Sequence, residues 1–149
     1  MSPDERGEWG RFTPETPERA ALLALSDAFG TDIRPRQVRL DDGGRAEVEG
    51  VDADESIVVQ FVIKSGEFTS QQRNKVMADM FKLMWLRTAL MPAARSILCV
   101  GPSAVPALRR GTWLRTAADD LRIEVHVWDG RRVAPLATST PEAEEFTHR

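Results

Sequence analysis

The sequence of 149 residues contains a single cysteine, Cys99, and only two histidines, His126 and His148. One cysteine excludes an internal disulfide and any multi-cysteine zinc site. The two histidines support no Ser/His/Asp, Cys/His or zinc arrangement. Cys99 lies in the apolar run SILCV, where a cysteine is usually a small buried hydrophobic residue. We therefore expect neither thiol chemistry nor zinc binding.

Long apolar runs and glycine-rich phosphate loops are also missing. No stretch approaches the roughly 18 apolar residues that indicate a membrane span. The first residues, MSPDERGEWGRF, lack the apolar segment of a secretory signal. Neither a P-loop nor a GxGxxG motif occurs. These absences predict a cytoplasmic protein without membrane contact.

The chain has no strong charge of one sign, since its formal net charge is −3. Residues 1–15 hold four acidic and two basic side chains, and residues 137–149 hold three and one. The body between them therefore keeps 23 minus 7, or 16, acidic residues and 20 minus 3, or 17, basic residues. Binding to nucleic acid mainly through counterion release is not favoured by this balance. A local basic patch stays open as an alternative.

The length fits one domain with a proper core. Residues 1–15 are polar and contain two prolines, so we expect a flexible N-terminal arm. Residues 16–136 are predicted to form the single domain. Residues 137–149 are rich in Thr, Ser and Glu, which predicts a disordered acidic tail.

Turn residues and apolar periodicity divide the domain into alternating helices and strands. Thr16 and Pro17 begin the first helix and Gly30 ends it. The further predicted elements are strands 33–40, 45–51, 57–63, 96–100 and 122–128, with helices 71–90 and 104–121, the second broken near residue 111. Antiparallel hairpins come first and strand–helix–strand crossovers follow. This order predicts an α/β sandwich around a mixed central sheet.

Two short strands and the start of one helix carry the functional signal. RAEVEGVD ends at Asp52, SIVVQFVIK contains Gln60, Val62 and Lys64 on one face, and the long helix opens with QQRNK at Lys75. With the order αβββαβ over residues 17–100, this pattern resembles the restriction-endonuclease-like PD-(D/E)XK superfamily. The chain is similar to a small, divergent member of actinobacterial type.

The resemblance implies a fold and a metal-dependent nuclease site. In the superfamily two acids hold Mg²⁺ beside the scissile phosphate, and a lysine positions the attacking water. Asp52 matches the first acid, whereas Gln60 stands for the second acid and Val62 for the lysine. An amide oxygen can bind a hard cation without contributing charge, but valine can do none of the work of lysine. The implied Mg²⁺ ligands are Asp52, Gln60 and Glu18, which matches an additional ligand in part of the superfamily.

Lysines on neighbouring elements are candidates to replace the missing amine. Lys75, in step with Gln72 and Asp79 on the long helix, is the better substitute, because some superfamily members place their lysine there. The predicted catalytic residues are therefore Asp52, Gln60 and Lys75. Lys64 at the rim and Gln72 are expected to contact substrate.

Each of these residues also has a structural interpretation. Asp52 lies in VDADES, where aspartate and serine commonly stabilise turns. Gln60 can be a hydrogen-bonded polar residue of a buried strand, Lys75 a solvated helix lysine, and Glu18 a partner of the helix dipole. Glu49 should face away from Asp52, unless a β-bulge turns it.

Two functions follow from the resemblance to the superfamily. The first is a catalytically impaired nuclease-like domain that serves as an interaction or nucleic-acid-binding subunit, with a protein partner or a second copy favoured over bare DNA. The alternative is an active Mg²⁺-dependent nuclease that hydrolyses DNA phosphodiesters. A third interpretation is a coincidence of fold, in which the hairpin acids act only in turns.

Overall fold

The computed structural model describes residues 9–136, which form an α/β fold around a six-stranded mixed sheet. The strands are β1 (Ile33–Arg39), β2 (Arg45–Asp52), β3 (Ile57–Val62), β4 (Arg95–Val100), β5 (Ile123–Trp128) and β6 (Val133–Pro135). The helices are α1 (Pro17–Phe29), α2 (Ser70–Trp85) with a π-helical turn (Leu86–Leu90), a 3₁₀ helix (Pro102–Leu108) and α3 (Trp113–Asp120). The predicted arm up to residue 8 and the predicted acidic tail, residues 137–149, lie outside the described residues.

The strands lie in the sheet in the order in which they occur in the chain. Hairpins make β1, β2 and β3 antiparallel, and β6 returns antiparallel to β5. The connections through α2 and α3 make β3, β4 and β5 parallel, because each crossover carries the chain back to the starting edge. The predicted α/β class and the mixed central sheet are confirmed.

Most helix ends follow the local signals. Gly30 ends α1 in the left-handed conformation, with φ 68°. Thr16 precedes α1 as predicted, but its hydroxyl donates to the Thr13 carbonyl (2.8 Å) and makes no cap bond to the helix. The predicted helix 104–121 is interrupted near Gly111, as expected, but its first part is a 3₁₀ helix and only its second part, α3, is α-helical. Pro106 lacks the N–H that an α-helix needs, and Gly111 adopts φ 96° between the two segments.

Each face of the sheet has its own core. Helix α1 packs Leu22 and Leu25 against one face, and α2, the 3₁₀ helix and α3 cover the other. Trp9 and Phe12 are also buried on the α1 face. Residues 9–15 thus pack onto the domain, in contrast to the predicted flexible arm. The physical reason is aromatic burial, which the polar composition around these two rings obscured.

Both edges of the described sheet carry features that oppose pairing with another strand. Edge strand β1 contains Pro35 and the charged residues Arg34, Arg36 and Arg39, and β6 is only three residues long and ends at Pro135. Proline and charge at an edge disfavour strand addition. Among residues 9–136, no helix is both long enough and apolar enough to cross a membrane.

Gly50 in the middle of β2 provides a test of the packing between α1 and the sheet. A Cβ atom at this position would lie 2.7 Å from Leu22 Cδ2, 3.1 Å from Ile33 Cγ2 and 3.2 Å from Val59 Cβ. Gly50→Ala is therefore expected to lower the free energy of unfolding by about 1–3 kcal/mol in urea titration. Gly101→Ala is the matched control, because its nearest neighbouring atoms are 3.7 Å away or farther. Equal effects of both substitutions would contradict this packing.

Candidate functional site

Strands β2 and β3 separate just beyond their shared ladder. Their paired residues are Gly50 with Val59 and Val51 with Val58. On the other side of β2, the register to β1 shifts between Val51 and Val48, so that β2 contains one extra residue. This β-bulge lies at Glu49 and Gly50, and it turns the chain where the two strands diverge. It is the bulge that the sequence left open as an alternative.

The place where β2 and β3 diverge, beyond the pair of Gly50 and Val59, is here called the fork. Side chains replace the missing ladder bonds there. The Glu49 N–H donates to the side-chain carbonyl oxygen of Gln60 (3.1 Å). The Phe61 N–H donates to Glu49 Oε1 (2.8 Å). Both bonds are buried, and buried main-chain groups of this kind need a partner. The fork is thus held open by its own side chains rather than by disorder of the strands.

Helix α2 completes the arrangement. Gln60 Nε2 donates to Asp79 Oδ1 (3.2 Å), and Lys75 Nζ donates to Asp79 Oδ2 (2.7 Å) and to the Phe61 carbonyl oxygen (3.0 Å). Glu49, Gln60, Lys75, Asp79 and the main chain of Phe61 form a closed ring of hydrogen bonds, here called the fork network. Gln60 and Lys75, which the sequence placed in one site, are therefore joined through Asp79.

A cleft of about 440 Å³ lies beside the fork, next to the C-terminal end of β3. Its lining includes Glu18, Glu49, Lys64, Gln72 and Lys75. In α/β folds the ends of the strands at this edge are a common place for ligands. Four of the predicted site residues, Glu18, Lys64, Gln72 and Lys75, thus border one cleft.

Glu49 is the buried acid of this cleft. Its side chain is 7% exposed, and Arg11 Nη2 lies 2.5 Å from Glu49 Oε2. Burial raises the pKa of the Glu49 carboxyl, and the Phe61 N–H, Lys75 and Arg11 oppose that rise. A carboxyl group with a raised pKa in a cleft is a common feature of functional sites.

Asp52 lies in a different environment. Its Oδ1 accepts from the N–H groups of Ser56 (2.7 Å) and Ile57 (3.0 Å), and its Oδ2 accepts from the Ser56 hydroxyl. Burial alone would raise the pKa of Asp52, but these hydrogen bonds together hold it below its ordinary value. The carboxylate stabilises the turn between β2 and β3, and Asp52 is absent from the cleft lining. Gln60 bonds instead to the Glu49 main chain and to Asp79, so the two residues share no hydrogen-bond partner, and neither of them lines the cleft.

Of the other predicted site positions, Val62 and Gln72 have structural roles, whereas Lys64 is exposed. Val62 is buried in the core beneath α2. Gln72 and Thr69 form a capping box at the start of α2, with Gln72 Oε1 accepting from the Thr69 N–H (3.3 Å) and Thr69 Oγ1 accepting from the Gln72 N–H (3.2 Å). Lys64 is exposed at the rim, as predicted, and no hydrogen bond or ion pair holds its amine within residues 9–136.

Metal-ligating groups are sparse in the described part of the chain. Residues 9–136 contain no group of three or more His, Cys, Asp or Glu side chains arranged to hold a metal ion. Among the described residues, the carboxylates that line the cleft are Glu18 and Glu49. One or two carboxylates can hold Mg²⁺ when water and a substrate phosphate supply the remaining ligands.

The sequence did not assign Glu49, Asp79 and Arg11 to the site. Asp79 had a signal, since it stands four residues after Lys75 on the same helix face. Glu49 could be assigned to the site only by predicting a β-bulge in β2 in place of the regular alternation of side chains. Arg11 had no signal, because its segment was expected to be flexible.

Comparison with family models, curated proteins and solved structures gives no match to this chain. The likeness to the PD-(D/E)XK superfamily thus stays a prediction from the order of elements and a few residues.

Proposed function

We propose that this chain is a catalytically impaired, nuclease-like domain of restriction-endonuclease type that acts as a binding subunit. The fork network carries the proposal. The amide oxygen of Gln60 accepts from the Glu49 main chain, and its NH₂ group donates to Asp79. Both polar ends of the residue at the second acid position therefore already have protein partners. Lys75 is likewise held by Asp79 and by the Phe61 carbonyl.

The order of elements supports the fold assignment. The chain runs α1, β1, β2, β3, α2, β4, which is the αβββαβ order of the superfamily. Asp52 closes β2 and Gln60 lies within β3, at the places where the superfamily has its first two acids. The missing charge at Gln60 and the missing amine at Val62 favour loss of catalysis over retained activity.

Charge and exposed aromatic side chains favour a protein partner or a second copy of the chain. In the cleft, Arg11 is paired with Glu49 and Lys75 with Asp79, which leaves Lys64 as the lysine of the lining without such a partner among the described residues. One exposed lysine is little positive charge for binding a nucleic-acid backbone. On the face covered by α2 and α3, Phe81 is 66% exposed and Trp113 is 62% exposed. Large aromatic residues are enriched in protein interfaces.

An active Mg²⁺-dependent nuclease is the second candidate, and Glu49 is the observation that favours it. A buried carboxyl with a raised pKa shares the cleft with Glu18, while Lys64 and Lys75 stand at its rim. In that function, Glu49 and Glu18 would hold Mg²⁺, and a lysine would offset charge on the phosphate. The acid used would then be Glu49 rather than Asp52.

Titration with Mg²⁺ and Mn²⁺, together with binding and cleavage assays on single- and double-stranded DNA, separates the two functions. We expect no metal-dependent cleavage by the native chain, since the positions of the second acid and the lysine are occupied by Gln60 and Val62. Glu49→Gln tests the alternative, and Glu47→Gln is the matched control on the same strand, because Glu47 also contacts Arg11 (3.4 Å) but does not line the cleft. Cleavage by the native chain that is lost in Glu49→Gln and kept in Glu47→Gln would establish the nuclease instead.

A further inference from the structure

A second cleft, of about 490 Å³, opens at the opposite end of the sheet, where β4 and β5 begin. Within the described part of the chain, its polar lining consists of Arg95, Arg115, Asp119, Arg122, Glu124 and His126. Apolar side chains, among them those of Phe29 and Leu136, form the rest of the wall. The volume is in the range of sites that hold small molecules. None of these residues belongs to the fork network or to the cleft beside it.

Arg115 is the central group of this second cleft. The residue is only 6% exposed, on the first turn of α3. Its Nη1 donates to the Leu108 carbonyl (3.2 Å) and its Nε donates to Asp119 Oδ1 (3.2 Å). Within residues 9–136, Nη2 of Arg115 donates to no acceptor. It is not a buried atom that lacks a partner, so it is accessible to solvent. The guanidinium is thus held in a fixed orientation with one nitrogen left for a ligand in the cleft.

The charge of Arg115 is only partly balanced. Asp119, its acidic partner, has a side chain that is 64% exposed, so solvent weakens the attraction between the two. The other acid of the cleft, Glu124, is held by Arg95 through two hydrogen bonds of 2.9 and 2.7 Å. Burial lowers the pKa of His126, which favours the neutral imidazole. Among the described residues, the charge left for a ligand is therefore positive.

Arg122 adds a second cation from the segment that links α3 to β5. Its backbone adopts the left-handed conformation with φ 55°, which non-glycine residues rarely take. Arg87 holds this segment by donating to the Arg122 carbonyl (3.0 Å) and to the Leu121 carbonyl. The Arg122 side chain is exposed and makes no hydrogen bond or ion pair within the described residues. This turn thus presents to the cleft a guanidinium that has no partner within the described residues.

We propose that this second cleft binds a small organic anion. A carboxylate or phosphate oxygen of the ligand accepts from Arg115 Nη2, and Arg122 approaches the same head group. The apolar wall with Phe29 and Leu136 contacts the body of the ligand. Arginine suits this role because its planar, permanently charged fork matches the oxygens of carboxylates and phosphates.

Calorimetric titration of the full chain with benzoate and, separately, with phenyl phosphate tests this assignment and distinguishes the two head groups. The native chain should bind at least one of them, and Arg115→Met should bind it about tenfold more weakly, because a charge-assisted hydrogen bond is lost. Arg122→Gln should weaken binding about threefold, as expected for an exposed charge. Arg131→Gln, on an exposed turn outside the cleft lining, should leave affinity unchanged.

Absence of binding of both anions to the native chain would overturn the proposal. Equal weakening by Arg131→Gln and Arg122→Gln would also overturn it, since the attraction would then be a general surface effect. If Arg115→Met fails to fold, the affinities of Arg122→Gln and Arg131→Gln still test whether the anion binds in this cleft. Both of these replaced side chains are exposed, so the two variants should fold.

Discussion

Asp52→Ala is expected to lower the free energy of unfolding by about 2–4 kcal/mol, with or without Mg²⁺. Asp52 is 1% exposed and accepts three hydrogen bonds, two from the Ser56 side chain and main chain and one from the Ile57 N–H. Alanine would leave the buried Ile57 N–H without its acceptor, and the turn between β2 and β3 would lose its organising group. Urea titration with and without Mg²⁺ measures the effect.

The same substitution has a defined pH dependence. The pKa of Asp52 is held below its ordinary value of 3.8 in the folded chain. A group with a lowered folded pKa contributes stability above its unfolded pKa and loses that contribution as the pH falls through the folded pKa. The difference between the native chain and Asp52→Ala should therefore be complete at neutral pH and shrink below about pH 4.

Asp54→Ala is the matched control for this prediction. Asp54 lies in the same turn but is exposed, so its replacement should change stability by no more than about 0.5 kcal/mol. A metal role for Asp52 predicts a different pattern, in which Mg²⁺ stabilises the native chain and not the Asp52→Ala variant. That pattern would contradict the turn function of Asp52.

The elements of the fold could be predicted because their signals are local. The turn at Asp42-Gly43-Gly44 and the alternation that follows define the first hairpin. Threonine before α2 and the three- and four-residue spacing of its apolar side chains define the long helix. The three-residue strand β6 had no such signal, because it is too short to show a period. Trp9 and Phe12 are buried by contacts that are distant in sequence, which composition does not reveal.

The site was predicted less completely, because its geometry depends on the bulge in β2. With regular alternation, Glu49 would not be assigned to the fork, and one extra residue changes which side chains meet. For Asp52 and Gln60 the structural interpretations fit the observed contacts, since the first stabilises a turn and the second is hydrogen-bonded in a buried strand. Their predicted metal-binding and catalytic roles remain predictions.

Gln60→Glu, the substitution that restores an acid at the second superfamily position, is expected to destabilise the domain by about 2–4 kcal/mol near neutral pH. One oxygen of the introduced carboxylate could still accept from the Glu49 N–H. The other would replace the NH₂ group that now lies 3.2 Å from Asp79 Oδ1. Two buried carboxylate oxygens would then face each other where a hydrogen bond now exists. Chemical denaturation of both proteins at several pH values measures the loss.

The pH dependence of this loss follows from the same contact. Repulsion from Asp79 and burial both favour the protonated form of the introduced carboxyl, so its folded pKa would be raised. A raised folded pKa gives stability below the unfolded pKa that is lost as the pH rises through the folded value. The deficit of Gln60→Glu should therefore shrink toward about pH 4 and grow toward neutral pH.

Asp79→Asn in the Gln60→Glu background provides the rescue. The amide introduced at position 79 can donate to the new carboxylate and accept from Lys75, which exchanges the roles of donor and acceptor within the fork network. The double variant should recover about 1–3 kcal/mol of the loss, measured as the coupling energy of a double-mutant cycle. Asp119→Asn is the matched control, because that exposed carboxyl also pairs within its helix but lies outside the network. If Asp119→Asn rescued as well, or if Gln60→Glu were as stable as the native chain, the Gln60–Asp79 bond would not hold the fork. In either of these cases, Gln60→Glu alone would be sufficient to test catalysis. If positions 60 and 79 are coupled, catalysis should be tested in the double variant, because only that variant presents the acid on an intact scaffold.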